Sequence, residues 1–183
     1  SSTSRGLGDV YKRQVTAYAE HIDDPSVLMP VVTRIVHKHV SLGIRPEHYA
    51  IVGKHLLASI REVLGEAATD ELVDAWGAAY GQLADLLIAE EARLYAESAG
   101  KPGGWTGWRA FRMVGKQAES AEITSFYLAP SDGGAVPAYQ PGQYVSVRIY
   151  VPELGLMQPR QYSLSDAPGP VSYTHLTLPT TPY

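Results

Sequence analysis

The sequence contains no cysteine, no long apolar run and no excess of basic charge, and each absence excludes a class of protein. Without cysteine among its 183 residues, the chain cannot form disulfides, thiolate zinc sites or cysteine-ligated iron–sulfur clusters. No apolar run approaches the ~20 residues that a membrane-spanning helix needs. A formal net charge of −4 gives no basic surface for nucleic-acid phosphates. We therefore expect a cytoplasmic globular protein that has no transmembrane segment and binds no nucleic acid.

The two ends of the chain differ from the rest. Residues 1–14 (SSTSRGLGDVYKRQ) show neither helical nor strand periodicity, and they lack the apolar stretch of a signal peptide. Residues 171–183 (VSYTHLTLPTTPY) are rich in Thr and Pro and continue no strand pattern. We interpret both ends as non-native, artefactual segments and omit them from the fold prediction.

Residues 15–99 have the periodicity of amphipathic helices, because apolar residues recur at intervals of three and four. Val15 to Asp23 has the pattern of a helix end, and a first complete helix ends at the helix-breaking Gly43. A second begins near Pro46 and ends at Gly65, and a third runs from Thr69 to about Glu97. The apolar faces of these three helices carry, in order, Leu28, Val32, Ile35, His39 and Leu42; Tyr49, Val52, Leu56, Ile60 and Val63; and Trp76, Tyr80, Leu83, Leu87, Glu91 and Leu94.

Beyond a predicted linker at residues 100–108, the periodicity approaches two and turn residues become frequent. This pattern predicts short strands at residues 109–115, 123–128, 144–150 and 160–164. Strands of this length and spacing are typical of a small antiparallel barrel or sandwich, although four are too few to close one. We place this second domain at residues 109–170, which makes the fold α+β with two domains.

Each helical face contains one polar residue where an apolar one is expected: His39, Tyr49 and Glu91. A buried carboxylate without a partner costs several kcal/mol, so Glu91 needs a hydrogen-bond donor. If the three faces meet, Glu91 and the Tyr49 hydroxyl both reach one ring nitrogen of His39 and leave the other free for a metal. Ordinary alternatives stay open: a core histidine satisfied locally, a tyrosine bonded to a carbonyl, and a glutamate exposed by a small error in register.

The strand-rich half contains Arg160-Gln161-Tyr162-Ser163, a short motif with a chemical interpretation. Arginine can bind a pyrophosphate, a tyrosine two residues later lies on the same side of a strand and can stack on an isoalloxazine, and a serine can bond a flavin nitrogen. Four residues alone are weak evidence, because an ordinary amphipathic strand has the same pattern.

The helical part resembles the F, G and H helices of the flavohaemoglobin globin domain. The resemblance is carried by IVHKHVSLGIRPEHYAIVGKHLLASI and by DAWGAAYGQLADLLIAEEARLY. It implies that His39 is the proximal ligand of haem b and that Tyr49 and Glu91 form a catalytic relay behind it, which increases the electron density on the iron.

The strand-rich part resembles the start of the ferredoxin-reductase FAD domain, specifically that of flavohaemoglobins. The resemblance is carried by GGWTGWRAFRMV, by PGQY and by RQYSL. It implies a partial antiparallel β-barrel that binds FAD through Tyr144, Arg160, Gln161, Tyr162 and Ser163.

The resemblance implies that the complete protein is a nitric oxide dioxygenase, which oxidises nitric oxide to nitrate with O2 and NAD(P)H through FAD and haem. We expect the distal haem residues to precede Val15 and the NAD domain to follow Gly169, so that the 183 residues alone do not turn over nitric oxide. Two alternatives remain: a non-enzymatic haem-binding globin, which needs no flavin motif, and a flavin reductase fragment without haem, which needs no His39, Tyr49 and Glu91.

Overall fold

The computed structural model describes Ser26, residues 29–165 and the strand Thr174–Pro179. These residues form two compact units. The first contains the described residues up to His39 together with Ile44–Arg93, and the second contains Val40–Gly43 together with the described residues from Leu94 onward. The predicted segment 1–14, the helix end at 15–23 and Leu28 lie outside the described residues, and the predicted domain boundaries stay predictions.

The described residues of the first half of the chain form three α-helices: α1 Met29–Leu42, α2 Pro46–Leu64 and α3 Asp70–Gly100. All three were predicted, and α3 continues past the predicted end at Glu97 to Gly100. Their apolar core consists of Val32, Val36, Tyr49, Val73, Ala84 and Leu87.

Local chemistry sets the helix ends. Gly43 adopts φ 74°, a left-handed conformation that ends α1, and the Ile44 amide then donates to the His39 carbonyl at 3.0 Å. Pro46 occupies the first turn of α2, where its missing N–H is not needed. Thr69 accepts a hydrogen bond from the Leu72 amide at 3.2 Å and so caps α3.

Two predicted members of the buried α2 face are exposed. Val52 is 51% and Val63 80% exposed, whereas Tyr49 and Gly53 are buried. The prediction that Val52 and Val63 face the core is therefore wrong. A helix buries only the side that another element covers, and periodicity does not show which part of a broad apolar face that is.

Among the residues that the structure describes, the second half contains five strands in two antiparallel sheets. One sheet has the order β1-β2-β5 and the other is the two-stranded ribbon β3-β4. The strands are β1 Phe111–Ala118, β2 Ile123–Pro130, β3 Tyr144–Val151, β4 Leu156–Ser163 and β5 Thr174–Pro179. The architecture agrees with a partial antiparallel barrel.

β1 runs from Phe111 to Ala118 rather than over the predicted residues 109–115, and two other strands differ more from the prediction. β4 begins at Leu156 rather than at Arg160, because Gly155 at φ 64° completes a tight turn directly after β3. β5 lies in the tail that we expected to have no strand pattern, and its backbone pairs with β2. That expectation is wrong for Thr174–Pro179, where polar and apolar residues alternate over residues 175–178 (HLTL) as in a strand.

Arg109 links the segment before β1 to the loop after β2 through an ion pair and hydrogen bonds. The Arg109 side chain, 13% exposed, binds both carboxylate oxygens of Asp132 at 2.7 and 2.9 Å. It also donates to the carbonyls of Gly103 at 3.1 Å and Ala135 at 2.9 Å, and it lies 5.5 Å from the ring centre of Trp105. The Arg109 bond and the Gly134 amide lower the pKa of Asp132 to about 2. The fork of five N–H donors that arginine provides makes this arrangement possible.

We predict that Arg109→Lys lowers the Tm by about 5 °C, because lysine cannot bind both carboxylate oxygens and both carbonyls at once. Arg112→Lys, on the exposed side of β1, is the matched control and should leave the Tm unchanged. The pKa of Asp132 is lowered from 3.8 to about 2, so the carboxylate stabilises the fold above pH 3.8. The difference between wild type and variant, measured by thermal unfolding, should therefore decline as the pH falls from 3.8 to about 2 and be lost below that. Equal effects of the two substitutions would contradict this role.

Candidate functional site

The three polar residues of the helical faces meet at one point. His39 from α1, Tyr49 from α2 and Glu91 from α3 share a hydrogen-bonded cluster. The His39 Nδ1 lies 2.8 Å from Glu91 Oε1 and 3.0 Å from the Tyr49 hydroxyl oxygen. The Tyr49 hydroxyl donates to the same Glu91 Oε1 at 2.5 Å. The structure therefore brings together the three residues that the helical pattern singled out.

The burial of the cluster decides its hydrogen-bond directions. Glu91 is 2% and Tyr49 8% exposed, so their polar groups must bond with one another. A carboxylate only accepts hydrogen bonds, so His39 donates from Nδ1 and is held in the Nδ1–H form. Its Nε2 then carries the lone pair and has no partner among the residues that the structure describes. This ring nitrogen is available for a metal, and the side chain is 21% exposed.

The second carboxylate oxygen of Glu91 is also buried. No hydrogen-bond donor reaches Oε2 among the described residues. The cost of burying this oxygen is offset by the two donors on Oε1, which concentrate the hydrogen bonding of the carboxylate on the His39 side.

Tyr80 supports the cluster, although the sequence indicated it only as one member of the α3 face. Its hydroxyl donates to the backbone carbonyl of Tyr49 at 2.8 Å, and burial raises the pKa of this phenol. A Cβ on Gly53 would lie 2.6 Å from the Tyr80 ring, so the ring fits only because residue 53 is glycine. The sequence contained one signal for this contact. Gly53 lies inside a helix, four residues after Tyr49, although a glycine there lowers helix stability.

The other histidines described are not part of this cluster. His48 accepts a hydrogen bond from the Arg45 amide at 3.0 Å at the start of α2, and His37 and His55 are exposed. Within residues 29–165 no three His, Asp or Glu side chains are grouped as metal ligands. No helix of that described part has the length and hydropathy to cross a membrane.

The five predicted flavin residues lie on the β3–β4 ribbon, but on two faces. Directly opposed residues of antiparallel strands project to the same side, and neighbours along a strand project to opposite sides. The pairs Val145 with Tyr162 and Val147 with Arg160 therefore put Arg160 and Tyr162 on one face. The pairs that put the other candidates on the opposite face are Tyr144 with Ser163 and Ser146 with Gln161. The expected shared side of Arg160 and Tyr162 is present, whereas Tyr144, Gln161 and Ser163 share the other.

Comparisons with known proteins agree with both halves of this description. The family model of the globins matches residues 4–87. The chain is 82% identical over 155 residues to a flavohemoprotein of Bordetella parapertussis and 57% identical over 161 residues to one of Rhizobium meliloti. These matches cover 85% and 88% of the chain, but it spans only 39% and 40% of the length of these curated relatives.

A solved structure gives the same result for the fold. The crystal structure of flavohemoglobin from Malassezia yamatoensis, with bound FAD and heme, superposes with a TM-score of 0.73. It is 31% identical in sequence, and the match covers 85% of this chain and 39% of that one.

We predict that Gly53→Ala destabilises the first unit by about 1–3 kcal/mol, because the new Cβ would overlap the Tyr80 ring and displace its hydroxyl from the Tyr49 carbonyl. Gly81→Ala on α3 is the matched control, since a Cβ there meets no atom within 4 Å. It should stabilise the helix by about 0.5–1 kcal/mol. Chemical denaturation measures both changes. Stabilisation by both alanines would show that Tyr80 does not require glycine at position 53.

Proposed function

This chain belongs to the flavohaemoprotein family over the segment that it spans, and from that premise we propose that it binds haem b through His39 and FAD through the β3–β4 ribbon. The observation that carries the proposal is the orientation of His39. Its Nδ1 is engaged by Glu91 and Tyr49, which leaves Nε2 as the one ring nitrogen able to bind iron. Haem and FAD, when bound, supply the oxygen chemistry and the electron transfer, which no side chain of the protein can perform.

Glu91 and Tyr49 act on the iron through His39. The carboxylate accepts the Nδ1 proton in a hydrogen bond, which fixes the tautomer and raises the basicity of Nε2. The Tyr49 hydroxyl donates to the same oxygen and holds the carboxylate in place. A more basic imidazole at position 39 would raise the electron density of an iron held by its Nε2, and so would support the oxidising chemistry that a bound haem would supply. This arrangement suits an oxidising enzyme better than an oxygen carrier.

The ribbon provides groups for a flavin. Arg160 is exposed and charged, as a pyrophosphate contact requires, and Tyr162 on the same face offers a ring for stacking. Tyr144 and Ser163 are directly opposite each other at one end of the ribbon, where a hydroxyl and a second ring lie close together. A flavin at this end would meet side chains from both faces.

The activity proposed for the complete protein is that of a nitric oxide dioxygenase. Nitric oxide gains both atoms of O2 and one electron to become nitrate, and the electrons come from oxidation of NAD(P)H to NAD(P)+. The small-molecule partners are thus O2 and nitric oxide, and the site of action is the cytoplasm. The comparisons support this proposal through the flavohemoprotein relatives and through a similar structure with bound FAD and heme.

We predict that His39→Ala abolishes haem retention in the full-length protein that carries this segment, because the iron loses its protein ligand. The exposed His55 on α2 supplies the control, and His55→Ala should retain haem. Glu91→Gln should keep haem but change its electronic environment, because an amide accepts the Nδ1 proton more weakly than a carboxylate. Soret absorbance of the purified proteins measures all three. An unchanged Soret band in His39→Ala would rule out this residue as the ligand.

For the flavin, Arg160→Ala and Tyr162→Ala should each weaken FAD binding by about tenfold or more, through loss of a charge-assisted hydrogen bond and of a stacking ring. Haem content should stay the same. Arg112→Ala, an exposed arginine on β1, is the control and should bind FAD normally. Gel filtration followed by flavin absorbance measures retention. Full FAD occupancy in both ribbon variants would contradict this site, and haem binding without any FAD binding in the wild type would favour the non-enzymatic globin instead.

A further inference from the structure

One edge of strand β2 is covered by a segment that lies far along the chain. In the sheet β1-β2-β5, β2 is the central strand. The six residues of β5 pair with β2 antiparallel and in one register, from Ile123 to Leu128. Thr124 is 2% and Ser125 1% exposed, which is the burial of an interior strand. Among the described residues, β2 is interior only because β5 covers this edge.

The backbone groups on this edge belong to alternate residues of β2. The amide of Glu119 donates to the Ile123 carbonyl at 2.9 Å, so the backbone of Ile123 faces the β1 side. Successive residues of a strand direct their N–H and C=O groups to opposite edges. Thr124, Phe126 and Leu128 therefore direct their backbone groups towards β5. We call these groups the β2 edge.

The same alternation sets the length of the β2 edge. Pro179 pairs with Ile123, whose backbone faces β1, so the missing N–H of this proline leaves no bond to β2 unmade. The next residue of β2 that would face β5 is Pro130, which has no N–H to donate. The pairing stops before it, at Leu128. The edge is therefore a site of fixed length over residues 123–128.

We propose that the β2 edge is a strand-acceptor site, which binds an extended peptide through its backbone and which β5 occupies in this chain. An uncovered strand edge is a template for an extended segment, and its backbone bonds do not depend on the identity of the side chains. The occupant fits this description, since Thr174–Pro179 belongs to a tail that is richer in Thr and Pro than the other strands. The site needs neither haem nor FAD and so goes beyond the proposed function.

The covalent connection favours β5 over a free peptide. Ten residues, 164–173, separate the end of β4 from the start of β5. A connection this short gives the attached segment an effective concentration on the order of millimolar. A free peptide therefore reaches the β2 edge only when β5 is weakened. Leu176 pairs with Phe126 and directs its N–H to β2, whereas Thr177 directs its N–H to the other side.

The test compares Leu176→Pro with Thr177→Pro in the 183-residue chain. Both prolines restrict the backbone, but only the first removes an N–H that faces β2. One readout is amide hydrogen exchange at the β2 edge, with Ser125 and Tyr127, whose amides face β1, as the internal reference. The other is fluorescence polarisation of a labelled peptide with the sequence of residues 171–183 (VSYTHLTLPTTPY).

We expect Leu176→Pro to accelerate exchange at the β2 edge by at least about tenfold, because β5 loses a bond to it. The variant should also bind the peptide at least about tenfold more tightly than the wild type does. Exchange at Ser125 and Tyr127 should not change. Thr177→Pro should resemble the wild type in both readouts, and a peptide that carries proline in place of Leu176 should not bind.

Three results would overturn the proposal. Equal effects of the two prolines would show that the contact does not depend on backbone bonds to β2. Loss of protection at Ser125 and Tyr127 in Leu176→Pro would show that β5 is required for the sheet itself and is not the occupant of a separate site. Faster exchange at the β2 edge without any peptide binding would show that the uncovered edge accepts no second strand.

Discussion

The packing of the helical unit depends on one buried carboxylate, because this group must accept hydrogen bonds from nearby donors. Glu91 is 2% exposed, and both donors that satisfy its Oε1 come from other helices, His39 from α1 and Tyr49 from α2. An unpaired charge at this depth costs several kcal/mol, so the packing of the three helices and the satisfaction of Glu91 are one requirement. The same requirement orients the imidazole. The group that the fold must satisfy is therefore also the group that orients the His39 ring, on which the proposed haem binding depends.

The sequence was sufficient for this cluster and for the helices because the relevant signals are local. Gly43, Pro46 and Thr69 mark helix ends through their own backbone and side-chain chemistry, and the structure places the ends there. A polar residue on an apolar face is conspicuous for the reason that makes it functional, since burying it requires partners. The contact of Tyr80 with Gly53 was not predicted, because it depends on how closely α2 and α3 approach, which periodicity does not specify.

The strands were harder to predict than the helices, and the reason is again physical. Pairing register is a long-range property, so the sequence indicated strands but not that β4 starts at Leu156 or that Thr174–Pro179 pairs with β2. The bonds of Arg109 to Asp132 and to the Gly103 and Ala135 carbonyls likewise join segments far apart in the chain. Nothing near Arg109 in the sequence distinguishes it from an exposed arginine such as Arg112.

The motif Arg160-Gln161-Tyr162-Ser163 shows what a short motif on a strand can and cannot specify. Because side chains alternate, one strand cannot present all four residues to a ligand lying on a single face. Arg160 and Tyr162 remain together on one face, and Gln161, on the other, is bonded to Ser41. Ser163 differs from Gln161 because it ends β4, where a ligand can reach around the last pair with Tyr144. The two pairs of alternating residues therefore lie on different surfaces of the ribbon: Arg160 and Tyr162 share one face, and Gln161 and Ser163 share the other.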